Sequence, residues 1–391
     1  MHLIRHPDRN RQLPRRYPSN GEILSNQVRI KVSLVLLILL FMFTSLIALF
    51  CVHNYFIPLS TANCTDSEAI FPSESGRYHL FASYACPGSH RALIVRALKG
   101  LEDVVSVTIV HPIWRLTKEG TSEEQRGWVF GSSKGEPFFN TAGRGGPFPP
   151  DFPGSEPDPF FDSFSIRDIY DEAGDTTGKY TVPLLWDKVG KTIVNNESSD
   201  IAYMLNSSFN EFSRNASLDL YSEEDSDTLN DVIEMISPLM IHGVYRCGFA
   251  KKQSAYDKAV YELTDAFDQA DAILQKQRFL TGSTLTDADI RLFVTLFRFD
   301  EVYSVYFRAN SRLVTLTPSL LNYCRDIYQM EGVAQTCSMD HCKAHFFCSH
   351  AEWNKFSIVP KGLGFLKLLN QPHNRNELRD VEAKEVEEGE I

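Results

Sequence analysis

Between residues 76 and 210 the apolar positions come in short runs of the kind strands make. From about residue 227 onward they recur at the three- and four-residue spacing of helices. "RYHLFASY", residues 77–84, is aromatic and alternating enough to read as a strand. "HRALIVRALKGL" then reads as a helix, with Pro87 in its first turn and Gly100 at its stop. "VVSVTIV", residues 104–110, is a β-branched run that predicts a buried strand, so the three pieces form a βαβ unit. No period survives in residues 131–163, which are rich in Gly, Pro and Phe and predict a long loop. "YTVPLLWD" and "KTIVNN" predict two antiparallel strands around a turn at Lys188–Gly190, and "ESSDIAYMLN" a helix. Farther on, "YDKAVYELTDAFDQADAIL" is helical, and Thr286 with Asp289 makes a capping box ahead of a buried helix.

A different pattern precedes all of this. Residues 32–52, "VSLVLLILLFMFTSLIALFCV", carry no charge and are just long enough to span a hydrocarbon core of about 30 Å. A cleaved signal has a shorter basic region and a shorter apolar run, so the stretch reads as an uncleaved transmembrane signal anchor. Residues 1–31 carry a net +5, which the positive-inside rule keeps cytosolic, sending the C-terminal bulk to a lumenal side. Sequons at Asn63, Asn206 and Asn215 agree with that expectation. The organisation predicted is a basic arm (1–31), an anchor (32–52), a linker (53–75), an α/β domain (76–210), an all-α domain (211–375) and an acidic tail (376–391).

Charge and cysteine usage narrow the function. The chain of 391 residues is 43% hydrophobic with a net charge of -11, and residues 53–391 alone carry -16. A body that acidic is a poor match for a phosphate backbone, which excludes nucleic-acid binding. Eight scattered cysteines are too sparse for a disulfide scaffold. Cys337, His341, Cys342, His345, Cys348 and His350 crowd together, but their spacing matches no standard zinc pattern, and no metal is expected.

Candidate chemistry gathers on "SYACPGSHR". Cys86 stands between a strand and a helix, where unpaired N–H groups and about half a positive charge favour a thiolate. A buried inert cysteine is the alternative, and the junction alone does not separate the two. Pro183 cannot donate to a sheet, which places it at a strand's start or edge and is compatible with a cis peptide. The Val182 backbone is then free to pair with a peptide-like ligand. Glu197 and Ser198 open a helix, where N–H groups and a hydroxyl bind a carboxylate while Glu197 takes an ammonium. A ligand with a thiol, a peptide backbone and an amino-acid head would meet all three places, and glutathione is such a ligand.

On these residues the chain resembles the glutathionyl-hydroquinone reductases, the Xi class of glutathione transferases. The likeness runs over residues 76–363 through "SYACP", "GWVF", "TVPLLWDK", "IVNNESSDI", "GVYRCGFA", "TDADIRLFVTLFRFDEVY" and "DHCKAHF". It implies an α/β thioredoxin-like N-terminal domain and an all-α C-terminal domain, here preceded by one transmembrane helix that is not typical of the family. It implies a glutathione-dependent thiol transfer with Cys86 as nucleophile. Trp128, Val182, Pro183, Glu197 and Ser198 would hold glutathione, with Tyr245 acting on the hydroquinone. Tyr303 and Phe346 would line the substrate pocket. It also implies a homodimer and a small aromatic substrate, with glutathione as co-substrate.

Two positions depart from the family. Its usual Cys-Pro-Trp-Ala is Cys86-Pro87-Gly88-Ser89 here, and Phe346 stands where a Tyr is usual. The expected reaction is reduction of S-glutathionyl-hydroquinones through a Cys86–glutathione mixed disulfide. The alternatives are a broader omega-like thioltransferase or dehydroascorbate reductase, and a non-catalytic membrane-tethered binding module.

Overall fold

In the computed structural model of the chain, residues 71–222 and 226–378 are described. The basic arm, the anchor at 32–52, most of the linker and nearly all of the acidic tail lie outside them. No helix among the described residues is long and apolar enough to cross a membrane.

The first strand, β1 (Tyr78–Ala82), is buried at every position, so its hydrophobic run continues without alternation. Helix α1 (Pro87–Leu98) follows, and Gly100 closes it at φ +64°, a left-handed conformation that favours glycine. Strand β2 (Ser106–Ile109) pairs parallel to β1, while β5 (Leu184–Asp187) pairs antiparallel to it and carries β6 (Thr192–Asn195) on its far side. The sheet order is β2–β1–β5–β6. Strand β2 is exposed at its first residue and buried only at its last two, because it is an edge of the sheet and not the covered strand its sequence predicts. The run "YTVPLLWD" forms strand only from Leu184, since Pro183 has no N–H to give a neighbour.

Between β2 and β5 the chain forms two short strands, β3 (Arg115–Leu116) and β4 (Arg126–Gly127). The long loop and helix α2 (Ile166–Glu172) follow, α2 capped by Ser165 and Asp168. Helix α3 (Ser198–Ser207) ends the α/β domain. Asn206 on α3 is buried, its amide donating to Asp219 at 2.8 Å, so that sequon is closed in the folded chain.

The helical domain comprises α4 (Ser226–Ile236), α5 (Gly243–Phe249), α6 (Gln253–Leu274), α7 (Asp287–Arg298), α8 (Pro318–Tyr328), α9 (Met339–Cys348) and α10 (Phe365–Leu369). The predicted Thr286–Asp289 capping box opens α7, the Thr286 N–H donating to Asp289 at 2.9 Å. Every residue of α7 but Arg291 is buried, and α7 runs into a π-turn, Phe299–Tyr303. The two domains share one core, which includes Leu93 and Ile94 of α1 together with Ile290 and Phe293 of α7. Arg91 and Asp287, both buried, pair across the boundary at 3.4 Å.

Candidate active site

The end of β1 delivers Cys86 to the N-cap of α1, with extended backbone (φ -77°, ψ 122°) and Pro87 in the first turn. Pro87 suits that place because its missing N–H would have had no intrahelical partner. The half-buried Cys86 sulfur donates to the Val182 carbonyl at 3.4 Å, and Val182–Pro183 is a cis peptide. Residues 96 positions apart are thereby joined, the segment that leads into β5 carrying Val182 to the thiol.

A cavity of about 380 Å³ opens over Cys86 between the two domains. The α/β side supplies Cys86, Pro87, Trp114, Trp128, Thr181 and Val182. The helical side supplies Tyr245 and Phe249 from α5, Phe307, and His345 and Phe346 from α9, with His350 and Trp353 just beyond. A more open groove of about 450 Å³ shares Tyr306 and Trp353 with it but contains no thiol. Size therefore does not pick out the site, and the nucleophile does.

Trp128 is buried and stacks on His345, ring centroids 4.6 Å apart, with Trp114 edge-on to Trp128 at 5.6 Å. The Trp114 indole N–H is buried without an acceptor among the described residues and is a donor open to a ligand. His345 Nδ1 lies 3.0 Å from the Pro112 carbonyl and therefore carries the proton, leaving Nε2 as the acceptor nitrogen. Burial pushes the His345 pKa down to about 3, so the ring is neutral.

Tyr245 faces Cys86 from the helical side, its hydroxyl 3.4 Å from that of Tyr303. Burial raises the Tyr245 pKa, with the nearby Cys86 adding to the effect, so the phenol keeps its proton at neutral pH. Tyr303 is fully buried behind Tyr245 on the π-turn and is not on the cavity wall. Phe346 is on the wall, edge-on to Tyr303 at 5.6 Å and to Phe307 at 5.8 Å.

Glu197 and Ser198 do not line this cavity. Glu197 is the N-cap of α3, its carboxylate accepting from the Ser199 N–H at 3.3 Å. Ser198 lies close against α1: a Cβ at Gly88 would come within 3.0 Å of Ser198 Cβ and 3.6 Å of Pro183 Cδ. Gly88 thus draws the α3 N-terminus toward the turn that bears Cys86, which a larger residue would resist.

The cysteine–histidine cluster disperses in space. His341 Nε2 meets the Pro153 carbonyl at 2.8 Å, Cys342 donates to the Tyr84 carbonyl at 3.5 Å, and His345 turns to Pro112. Among the described residues no three His, Cys, Asp or Glu side chains converge to hold a metal.

Comparison with known proteins agrees with this layout. Residues 85–208 match the glutathione S-transferase N-terminal domain and residues 253–326 the glutathione S-transferase C-terminal domain. The chain is 36% identical over 307 residues to the glutathionyl-hydroquinone reductase YqjG of Escherichia coli, covering 78% of this chain and 84% of that protein. It is 33% identical to glutathione S-transferase omega-like 2 of Schizosaccharomyces pombe, covering 75% and 87%. Among solved structures, the glutathione-bound YqjG from Escherichia coli superimposes with a TM-score of 0.70 at 34% identity, covering 82% of this chain and 94% of that one. The Xi-class transferase of Natrialba magadii gives 0.69 at 40% identity, covering 80% and 87%.

Proposed function

The chain belongs to the Xi-class glutathione S-transferases, the glutathionyl-hydroquinone reductase family, and on that premise we propose that it reduces S-glutathionyl-hydroquinones with glutathione as co-substrate. The observation that carries the reading is the Cys86 thiol at a helix N-cap, facing a phenol across an aromatic cavity.

In this mechanism the Cys86 thiolate attacks the sulfur of the S-glutathionyl ring, forming the Cys86–glutathione disulfide and breaking the carbon–sulfur bond. The electron pair of that bond passes to the ring carbon, which takes a proton from the Tyr245 hydroxyl and leaves as the hydroquinone. A second glutathione, as thiolate, attacks the glutathione sulfur of the mixed disulfide. Oxidised glutathione departs, the Cys86 thiolate returns, and the proton given up by the second glutathione restores Tyr245. Cys86-Pro87-Gly88-Ser89 has no second cysteine, so the resolving thiol is external.

Binding follows from the same elements. The Val182 carbonyl that accepts from the Cys86 thiol is placed to take the glutathione backbone N–H instead. The α3 N-terminus offers its N–H groups to the γ-glutamyl carboxylate, with Glu197 toward the ammonium. Trp128 and Trp114 are the apolar wall beside the sulfur.

A broader thioltransferase activity is a second reading, favoured by Phe346. The cavity wall has a phenyl ring at a place where the family usually offers another hydroxyl, which a disulfide substrate does not need. Turnover of an S-glutathionyl-hydroquinone and of a simple glutathione mixed disulfide, on wild type and C86S, tests both readings. Activity on both substrates that C86S abolishes supports a Cys86 transferase. Hydroquinone turnover retained by C86S would contradict the mechanism, and turnover of the disulfide alone would favour the second reading.

A further inference from the structure

Arg298, the last residue of α7, is a fully buried cation with no carboxylate paired to it among the described residues. An uncompensated buried charge is costly, so its partners matter. Its Nη2 donates to the Tyr84 carbonyl at 2.8 Å and its Nε to the Ala85 carbonyl at 3.1 Å. These are the two peptide carbonyls immediately before Cys86. Its Nη1 donates to the Val294 carbonyl at 2.7 Å and to His90 Nδ1 at 3.0 Å. A guanidinium has no lone pair to offer, so His90 Nδ1 accepts and Nε2 bears the ring proton. That N–H reaches Thr336 Oγ1 at 3.1 Å, while the Thr336 hydroxyl donates to the Val333 carbonyl at 2.7 Å. His90 in turn donates its backbone N–H to the Cys86 carbonyl at 2.9 Å, in the first turn of α1.

Each hydrogen-bonding direction in this chain is fixed, and the chain brackets Cys86 on both sides. Burial works against the Arg298 cation, and Cys342, Tyr303, Tyr245 and Cys86 act the other way and outweigh it. All four of those groups become negative when they lose a proton. Tyr245 and Tyr303 are held protonated by burial, as is Cys342, whose thiol donates to the same Tyr84 carbonyl. His345 and His350, which face the cavity from α9 and beyond it, are kept neutral by burial. Glu352 stands at the mouth, exposed and 3.8 Å from Arg126. Cys86 is the half-buried thiol on the cavity wall, and Arg298 is the buried cation behind it.

We propose that Arg298 is a positioning residue for the reaction: it fixes the strand-to-helix turn that aims Cys86 and supplies the buried positive charge that balances the Cys86 thiolate. The inference rests on Cys86 being the nucleophile, and it adds a source of charge from the other domain to the helix N-terminus. It gives α7 a role its sequence alone does not suggest, since the helix reads as core packing.

The test is the pH dependence of Cys86 alkylation by iodoacetamide, with the modified residue mapped by mass. It reports the thiolate whether or not any hydroquinone is turned over, so failure of the substrate assignment does not affect it. Arg298→Met and Arg298→Gln remove the charge, the second keeping one amide donor for the carbonyls, and Arg298→Lys keeps the charge without the planar fork. Folding is checked by circular dichroism. Each folded neutral variant should move the alkylation midpoint up by about one pH unit or more, slowing Cys86 alkylation at pH 7 about tenfold. Arg298→Lys should keep the wild-type midpoint while turnover falls. A folded neutral variant with the wild-type midpoint overturns the proposal and leaves Arg298 as structural glue. So does an Arg298→Lys midpoint displaced as far as those of the neutral variants. If neither neutral variant folds, an Arg298→Lys midpoint raised by about one pH unit or more overturns the proposal, and a wild-type midpoint with lowered turnover supports it.

Discussion

The phenol of Tyr245 and the phenyl of Phe346 share the wall opposite Cys86, and in the proposed mechanism they separate the proton step from the thiol step. On that mechanism Tyr245→Phe removes the proton donor to the ring carbon. It should lower turnover of an S-glutathionyl-hydroquinone by about 10²–10⁴-fold, with a much smaller loss on a mixed disulfide, whose leaving group departs as a thiolate. Phe346→Tyr should act in the opposite sense, raising hydroquinone turnover and leaving the disulfide rate unchanged. Steady-state kinetics of both variants on both substrates checks this, and equal effects on the two substrates would remove Tyr245 from the proton step. At this scale the site was partly legible. Cys86 and Val182 announce themselves through their prolines, because a cysteine before Pro87 and a residue before Pro183 sit at places where backbone geometry is constrained. Trp114, His345 and His350 carry no such mark. The Trp114 backbone N–H donates to the Ser349 hydroxyl across 235 residues, and nothing local in the sequence records that contact.

Among the elements, α5 sets the position of Tyr245, and it can do so because of Gly248. A Cβ there would fall within 2.0 Å of Phe307, whose ring packs against Tyr245 at 5.1 Å. Helix propensity favours Gly→Ala by about 1 kcal/mol, while overpacking a buried ring costs about 1–3 kcal/mol. The steric term should win, so Gly248→Ala should lower the midpoint of thermal unfolding and reduce turnover with it. A more stable, fully active Gly248→Ala would show that the helix and Phe307 are not held this closely. Strands and helices with strong periods, such as β1, α1 and α7, could be read from the chain within a few residues. The π-turn at Phe299–Tyr303 could not, because it is an interruption in an unbroken helical pattern, and it sets Tyr303 behind Tyr245 instead of on the cavity wall. Strand β2 was legible as a strand but not as an edge, which depends on sheet order.

For the whole molecule, the buried histidines tie stability to pH. Burial holds the pKa of His79 at about 3, of His111 at about 4 and of His345 at about 3. Each is thus depressed below the unfolded value near 6.5, so below that pH the unfolded chain binds the extra protons. Their contribution is fully present above about pH 6.5 and is lost as pH falls toward 4, each costing about 1.4 kcal/mol per pH unit. Thermal unfolding should therefore drop steeply between pH 6.5 and pH 5, and a flat profile across that window would contradict the neutral burial of these rings. The division into an α/β domain followed by helices was legible from the change of period. The cavity between the domains was not, since its two walls come from halves of the chain that meet only after folding.

The central claim is that Cys86 carries glutathione as a mixed disulfide, and one measurement addresses it directly. Wild-type protein is treated with oxidised glutathione near neutral pH, its intact mass recorded, and the modified cysteine mapped after digestion without reductant. Burial pushes up the thiols of Cys247, Cys324, Cys337, Cys342 and Cys348, Cys337 to about 12 and Cys348 to about 11. Among the six described cysteines the glutathionyl adduct is therefore expected on Cys86 alone, and added glutathione should remove it. An adduct on another of these six, or none on Cys86, would contradict that claim.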